Sequence, residues 1–321
     1  MSYLQAFTDS EKDLVKRLLA AQVASMMGRK MEEGDWSKVY CSAKKIPDSG
    51  WSNLRIDINY QGLGLEMKLL RIAGLRGRPI KSVCGTTLMH PSATRSIRID
   101  DTSRNANDVM RDVFKQYADL IQDRTQKVKN AAPGKTPDMR TGWLLWEDNL
   151  TEFLYFEERL FPPNPDQYIA EWNITPARGS RKESKSLWIY DKDTKLKRYS
   201  VTTSAGIKIQ PYFDVPAPSS KDLYYFRVQS EPVDENTVRL WILAPTARSL
   251  KHKLGSLDAT IVSTAILQAV EPGIEVVQNL NEVDGLAVAV DISKEAHMKL
   301  LTAWEVVSDE HCAQLLLRSL A

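Results

Sequence analysis

The chain has 321 residues, 43% of them hydrophobic and 26% charged, which is the composition of an ordinary globular protein long enough to divide into two domains. No stretch has the length and apolarity of a membrane span, and the N-terminal residues lack a signal-peptide core. Three widely spaced cysteines (Cys41, Cys84 and Cys312) fit neither a disulfide framework nor a zinc site, so a cytoplasmic protein with no membrane partner is expected. The formal net charge of +2 hides an asymmetry: residues 1–140 carry 24 Lys and Arg against 16 Asp and Glu, and the remainder 19 against 25.

Thr8 to Met31 is predicted as the first helix. Thr8 and Glu11 have capping-box spacing, and Leu14, Val15, Leu18, Leu19, Val23, Met26 and Met27 share one stripe. Glu32 to Lys38 then reads as a polar loop that leads through Val39-Tyr40-Cys41 and Lys44-Lys45 toward Leu54. Trp36 and Trp51 bracket this segment, and packing is the commoner use of tryptophan.

From Leu54 to Leu70 the sequence LRIDINYQGLGLEMKLL is two alternating strands joined by a tight turn. Leu54, Ile56 and Ile58 take one face of the first strand, and Arg55, Asp57 and Asn59 the other. In the second strand Leu65, Met67 and Leu69 oppose Glu66, Lys68 and Leu70. Gln61-Gly62 suits a two-residue primed turn, whose second position needs positive φ. That loop sets a register in which Tyr60 opposes Leu63, Asn59 opposes Gly64, Asp57 opposes Glu66, and Arg55 opposes Lys68. Directly opposed residues have Cβ atoms about 5 Å apart, so the carboxylates of Asp57 and Glu66 are spaced to share a divalent cation. Two hard oxygen ligands, with waters completing an octahedron, suit Mg2+.

Asp57, eight intervening residues and then Glu66-Met67-Lys68 resemble the core motif of the PD-(D/E)xK nuclease superfamily, as in type II restriction endonucleases. The resemblance is confined to this hairpin. It implies that Asp57 and Glu66 hold Mg2+ and that Lys68 orients or deprotonates the attacking water. In some members an acid from the preceding helix, here Glu32 or Glu33, also reaches the metal. Ile56 stands where the motif has proline. Pro47-Asp48 supplies a literal PD upstream, which makes Asp48 the alternative first ligand, although Ile46 to Gly50 reads as a turn. Pro165-Asp166 with Glu183-Ser184-Lys185 repeats the spelling in a polar setting with no buried strand to hold it.

Met67 to Ile99 carries seven basic residues and no acid. Such an excess suits a polyanion, because each phosphate neutralised releases counterions. Arg76, Arg78, Lys81, Thr94, Arg95 and Arg98 are the candidate phosphate contacts, with Thr86, Thr87, Ser92 and Ser96 as further donors. Ile97 and Ile99 alternate with Ser96 and Arg98, which predicts a strand with Arg98 on its polar face. His90, in front of Pro91, reads as structural, with a contact to base or phosphate as the alternative.

Asn105 to Lys129 is predicted as a strong helix on the stripe Val109, Met110, Val113, Phe114, Tyr117, Leu120 and Ile121. Asn130 to Pro137 breaks it and is the best linker candidate, while Gly142 to Trp146 has strand character. Seven short β-rich runs follow (152–157, 168–174, 186–190, 196–202, 207–213, 223–228 and 238–243), suggesting an antiparallel sheet, barrel or sandwich. Their aromatic residues Trp188, Tyr190, Tyr199, Tyr212, Tyr224, Tyr225 and Trp241 read as core, with a base pocket as the alternative. The tail alternates helices (246–254, 259–270, from Ser293 and from Ser308) with strands (274–277 and 286–290). Two further basic patches are Arg178, Arg181, Lys182 and Lys185, and Arg248, Lys251, His252 and Lys253.

The expectation is therefore an α/β nuclease domain over residues 1–140, a mixed sheet with flanking helices of restriction-endonuclease-like type. A β-rich α+β domain over residues 141–321 would recognise DNA or mediate dimerisation. The activity implied by the resemblance is Mg2+-dependent cleavage of double-stranded DNA by a homodimeric restriction enzyme; a repair or junction nuclease shares the same core. The rival class is a non-catalytic nucleic-acid-binding protein whose hairpin acids are solvated surface residues. Metal dependence of cleavage separates the two.

Overall fold

The computed structural model describes residues 3–26, 29–47, 56–90, 97–147, 149–177, 182–203, 208–269, 286–304 and 308–321, and these form a mixed α/β structure of three sheets with flanking helices. The chain begins with β1 (Tyr3–Leu4), α1 (Asp9–Met26), α2 (Glu33–Lys44), β2 (Ile58–Tyr60), β3 (Leu63–Arg71) and β4 (Thr87–Met89). It continues through α3 (Ala106–Ala131), β5 (Asp138–Trp146), β6 (Glu152–Arg159), β7 (Tyr168–Thr175), β8 (Ser184–Asp191), β9 (Lys197–Thr202) and β10 (Lys208–Asp214). It ends with β11 (Tyr224–Arg227), β12 (Ser230–Pro232), β13 (Thr237–Leu243), α4 (Ala244–Leu254), α5 (Ala259–Ala269), β14 (Ala287–Ser293), α6 (Lys294–Trp304) and α7 (Asp309–Ser319).

The first sheet has the order β1-β6-β5-β3-β2, with β11 also on β6. Strands β3 and β5 run parallel, from Leu63 opposite Asp138 to Arg71 opposite Trp146, and the other pairs are antiparallel. A parallel pair needs a crossover, and α3 lies on the connection. Leu65, Met67, Leu144 and Tyr155 face Leu19, Val23, Trp36 and Tyr40 of α1 and α2. On the other side Trp143, Leu145, Leu154 and Phe156 meet Ile80, Val83 and Phe213. Burial on both faces explains why the sequence from Gly142 to Trp146 is apolar without alternation.

The second sheet, β4-β10-β9-β8-β7, packs Leu187, Ile189, Val201 and Ile209 against Val109, Met110, Val113 and Phe114 of α3. The third, β12-β13-β14, is covered by α4 to α7 through Leu250, Ile266, Leu300 and Leu316. No helix among the described residues is long and apolar enough to cross a membrane.

Several expectations change. The expected loop is instead helix α2 (Glu33–Lys44), with Glu32 as N-cap in a capping box in which Asp35 accepts from the Glu32 amide at 2.9 Å. Trp36, Val39, Tyr40 and Ala43, spaced i, i+3, i+4 and i+7, are its buried stripe. Helix α1 is described over Asp9–Met26, and residues 29–31 are not helical. Residues 97–99 join no sheet; the side chain of Gln116 accepts from the Arg98 amide at 2.8 Å and donates to its carbonyl at 2.9 Å, taking the place of a strand partner. All seven β-rich runs form strands, but they divide among three sheets: β6 and β11 complete the first, β7 to β10 make most of the second, and β13 enters the third. The expected domain boundary after residue 140 falls inside β5. Asp48, Trp51, Arg55, Thr94, Arg95, Arg178, Arg181 and the predicted strand 274–277 lie outside the described residues.

Candidate active site

The hairpin forms as the sequence requires. Gln61 and Gly62 adopt φ of 49° and 93°, the primed-turn geometry. Tyr60 pairs with Leu63, Asn59 with Gly64 and Ile58 with Leu65. Pairing ends there, so β3 outruns β2 and, among the described residues, its edge from Met67 onward meets no strand. Two side chains occupy that edge instead. Asp57 Oδ2 accepts from the Met67 amide at 2.6 Å, and His90 Nε2 lies 3.2 Å from the Leu69 carbonyl oxygen.

Glu66 and Lys68, two residues apart, share a face of β3. Lys68 Nζ donates to Glu66 Oε1 at 2.8 Å, and Arg124 Nη1 of α3 donates to Glu66 Oε2 at 2.7 Å. The Glu66, Lys68 and Arg124 side chains are only 13%, 20% and 22% exposed. These are not residues of a solvated outer face. Tyr117, two helical turns before Arg124, also feels Glu66; burial first, and then Glu66, push its hydroxyl up to about 12.

Negative charge dominates the electrostatics. Burial, then Glu66 and to a lesser degree Glu33, push Asp57 up to about 7, against the lowering effects of the Met67 amide and Lys68. Burial also raises Glu33, in the first turn of α2, with Glu66 adding to the rise and Lys68 opposing it. For Lys68 burial works toward a lower value, but Glu66, Asp57 and Glu33 together carry it above the ordinary lysine value, so it stays protonated. Burial and then Lys68 bring His90 down to about 4, leaving it neutral near pH 7.

The structure thus brings Asp57, Glu66 and Lys68 together and adds Glu33, Arg124, Tyr117 and His90. Glu33 is one of the two acids that the motif resemblance points to. Arg124, 58 residues from its partner Glu66, carried no local signal beyond its place seven residues after Tyr117. Among the described residues no three or more His, Cys, Asp or Glu side chains form a metal-holding group. The donor set of Asp57 and Glu66 is two hard oxygens beside an excess of carboxylate charge. It fits Mg2+ with water and phosphate oxygens completing the sphere, provided that Glu66 gives up one of its two cationic partners.

The remaining predicted residues are spread out. Arg76 and Arg78 are exposed on the loop that leaves β3, and Arg78 Nε donates to the Leu75 carbonyl at 3.3 Å. Lys81 Nζ lies 4.1 Å from the centroid of the Tyr225 ring. Arg98 lines a separate cleft beside α3 with Asp100, Arg104, Asp112, Lys115 and Asp119, where acids match bases. No family model, curated protein or solved structure matches the chain.

Proposed function

We propose that the chain is a Mg2+-dependent DNA endonuclease of the PD-(D/E)xK type, acting on double-stranded DNA as a restriction enzyme does. The observation that carries the reading is the gathering of Asp57, Glu66 and Lys68 on one hairpin where β3 outruns its partner, with Glu33 of a separate helix near enough to raise Asp57 electrostatically. Holding an acid at a pKa of about 7 beside a second carboxylate costs stability, and such arrangements cluster where chemistry is done.

In this reading Asp57 and Glu66 hold the metal. The chemistry a bound Mg2+ supplies is polarisation of the scissile phosphate and a lowered pKa for its water. Lys68, kept protonated by its carboxylate neighbours, donates to that water or to a phosphate oxygen and offsets the negative charge that develops. Arg124 fixes the carboxylate of Glu66. Arg76, Arg78 and Lys81, together with Thr94 and Arg95, form the phosphate-gripping set, and Arg98, whose charge is matched by acids in its own cleft, adds less to it. A restriction-endonuclease-like core over the first sheet, a recognition or dimerisation role for the later β-rich segments, a homodimer with one site per DNA strand and a cytoplasmic location belong to the same proposal.

A second reading, a non-catalytic nucleic-acid-binding protein, is favoured by one feature: both Glu66 oxygens are held by cations, as in a structural ion pair. Supercoiled plasmid incubated with and without Mg2+ decides between them. Cleavage that needs Mg2+ and vanishes in Glu66→Ala supports the enzyme. Retarded but intact plasmid with every divalent cation overturns it.

A further inference from the structure

The second sheet is covered by α3 on one face. Leu187, Ile189, Val201 and Ile209 point into that core. The alternate residues Trp188 and Tyr190 of β8 and Tyr212 of β10 point the other way, and among the described residues no helix packs over them. Polar side chains are the rule on an open face of an antiparallel sheet, yet these three rings are half-exposed there.

A β-bulge completes the cluster. The register between β8 and β9 shifts after Ile189, so that Tyr190 pairs with Lys197 and not with Arg198. Arg198 instead pairs with Asp214 at 2.9 Å. Lys197 Nζ lies 3.2 Å from the centroid of the Trp188 ring and 5.4 Å from that of Tyr212, between rings from the strands on either side of β9. It makes no ion pair with a described carboxylate. The nearby Glu171 instead accepts a 2.8 Å hydrogen bond from the Tyr190 hydroxyl.

We infer that this face binds unpaired nucleic acid, with Trp188, Tyr190 and Tyr212 stacking on bases and the Lys197 ammonium meeting backbone phosphate. Flat rings set side by side on a sheet form a platform for unstacked bases of any sequence. Among the described residues the ammonium has π faces and no ion-paired carboxylate as close partners; burial brings it down to about 8, against the raising effect of Glu171. A methylated or quaternary ammonium is the other ligand that aromatic cages take. A base stacking on Trp188 and a quaternary ammonium would each move the Lys197 ammonium off that ring, but the nucleic acid supplies a phosphate to receive it, whereas the quaternary ammonium would bind beside its positive charge. The inference rests on this sheet alone and not on the chemistry at Asp57.

The test uses the full chain in EDTA with a fluorescein-labelled oligothymidine of about 15 nucleotides, the same length as a duplex, and tetramethylammonium as competitor. The oligothymidine is expected to bind. Trp188→Ala and Tyr212→Ala should each weaken that binding roughly tenfold or more, and Trp188→Phe, which keeps a ring, only a few-fold. Lys197→Gln should shallow the salt slope by about one unit. Three results would overturn the inference: no binding by the native chain, undiminished binding in both alanine variants, or displacement by tetramethylammonium. Plasmid cleavage by the same variants reports separately on the Asp57 site, so a chain that binds oligothymidine but cuts nothing refutes only the nuclease proposal.

Discussion

Asp57 stands one residue outside the last strand pair of the hairpin, and its carboxylate accepts a 2.6 Å hydrogen bond from the amide of Met67, two residues past that pair on β3. The bond occupies an open strand edge, but it also holds Asp57 buried beside Glu66, and the two effects push its pKa up to about 7. An acid whose folded pKa lies above its unfolded value stabilises the fold at low pH. That contribution is lost as pH rises from about 4 through 7. Asp57→Asn keeps an oxygen for the Met67 amide and removes the charge. Thermal unfolding in EDTA should show the variant more stable than the native chain at pH 8, by up to about 4 kcal/mol, and nearly equal to it at pH 4. The same shift at both pH values would show that the carboxylate is not under the strain described.

Glu66 joins Lys68 and Arg124, so Glu66→Ala removes a proposed metal ligand and leaves two partly buried cations without their acid. Cleavage should vanish, and stability should fall by about 1–3 kcal/mol. Lys68→Ala should slow cleavage by about 10²- to 10³-fold while duplex affinity measured in Ca2+ changes little. Cleavage at the native rate in Lys68→Ala would remove that residue from the chemistry.

Arg76 and Arg78 are exposed and make no ion pair among the described residues, whereas Arg98 shares its cleft with Asp100, Asp112 and Asp119. Arg76→Ala and Arg78→Ala should each reduce the slope of log affinity for duplex DNA against log salt by about one unit. Arg98→Ala should change it less. If Arg98 alone alters the slope, the duplex runs along α3 and not along the loop after β3.

Arg140 bonds Glu157 at 2.9 Å, and this fully buried carboxylate also accepts from the hydroxyls of Tyr40 at 3.0 Å and Tyr155 at 2.8 Å. Arg140→Ala strands that charge and should cost about 3–5 kcal/mol in urea unfolding. Gly142→Ala drives a methyl group into the Tyr155 hydroxyl and the Leu65 side chain and should cost about 1–3 kcal/mol. Near-native stability for either would mean that the sheet yields around Tyr155.

Much of the local structure was legible in the residues themselves. The Gln61-Gly62 turn and the pairing from Ile58 to Tyr60 follow from alternation and positive φ within a few residues, and Asn105 was recognisable as the start of α3. Helix α2 was legible too, in the spacing of Trp36, Val39, Tyr40 and Ala43, but the charges of Glu32 to Lys38 obscured it. The seven β-rich runs were identifiable as strands because β-branched and aromatic alternation marks a pleated, half-buried segment.

Which sheet each strand joins was settled only by the tertiary structure. Tyr224–Arg227 pairs with β6 some 70 residues earlier, and Thr87–Met89 pairs with β10 more than 120 residues later. The same holds at the candidate site. Asp57, Glu66 and Lys68 were within reach of a motif because one hairpin carries them, whereas Arg124 meets Glu66 only because α3 crosses from β3 to β5, and Glu33 only because α2 begins beside them. Periodicity along a chain records which face of an element is buried. What covers that face depends on contacts between distant segments, which no local pattern encodes.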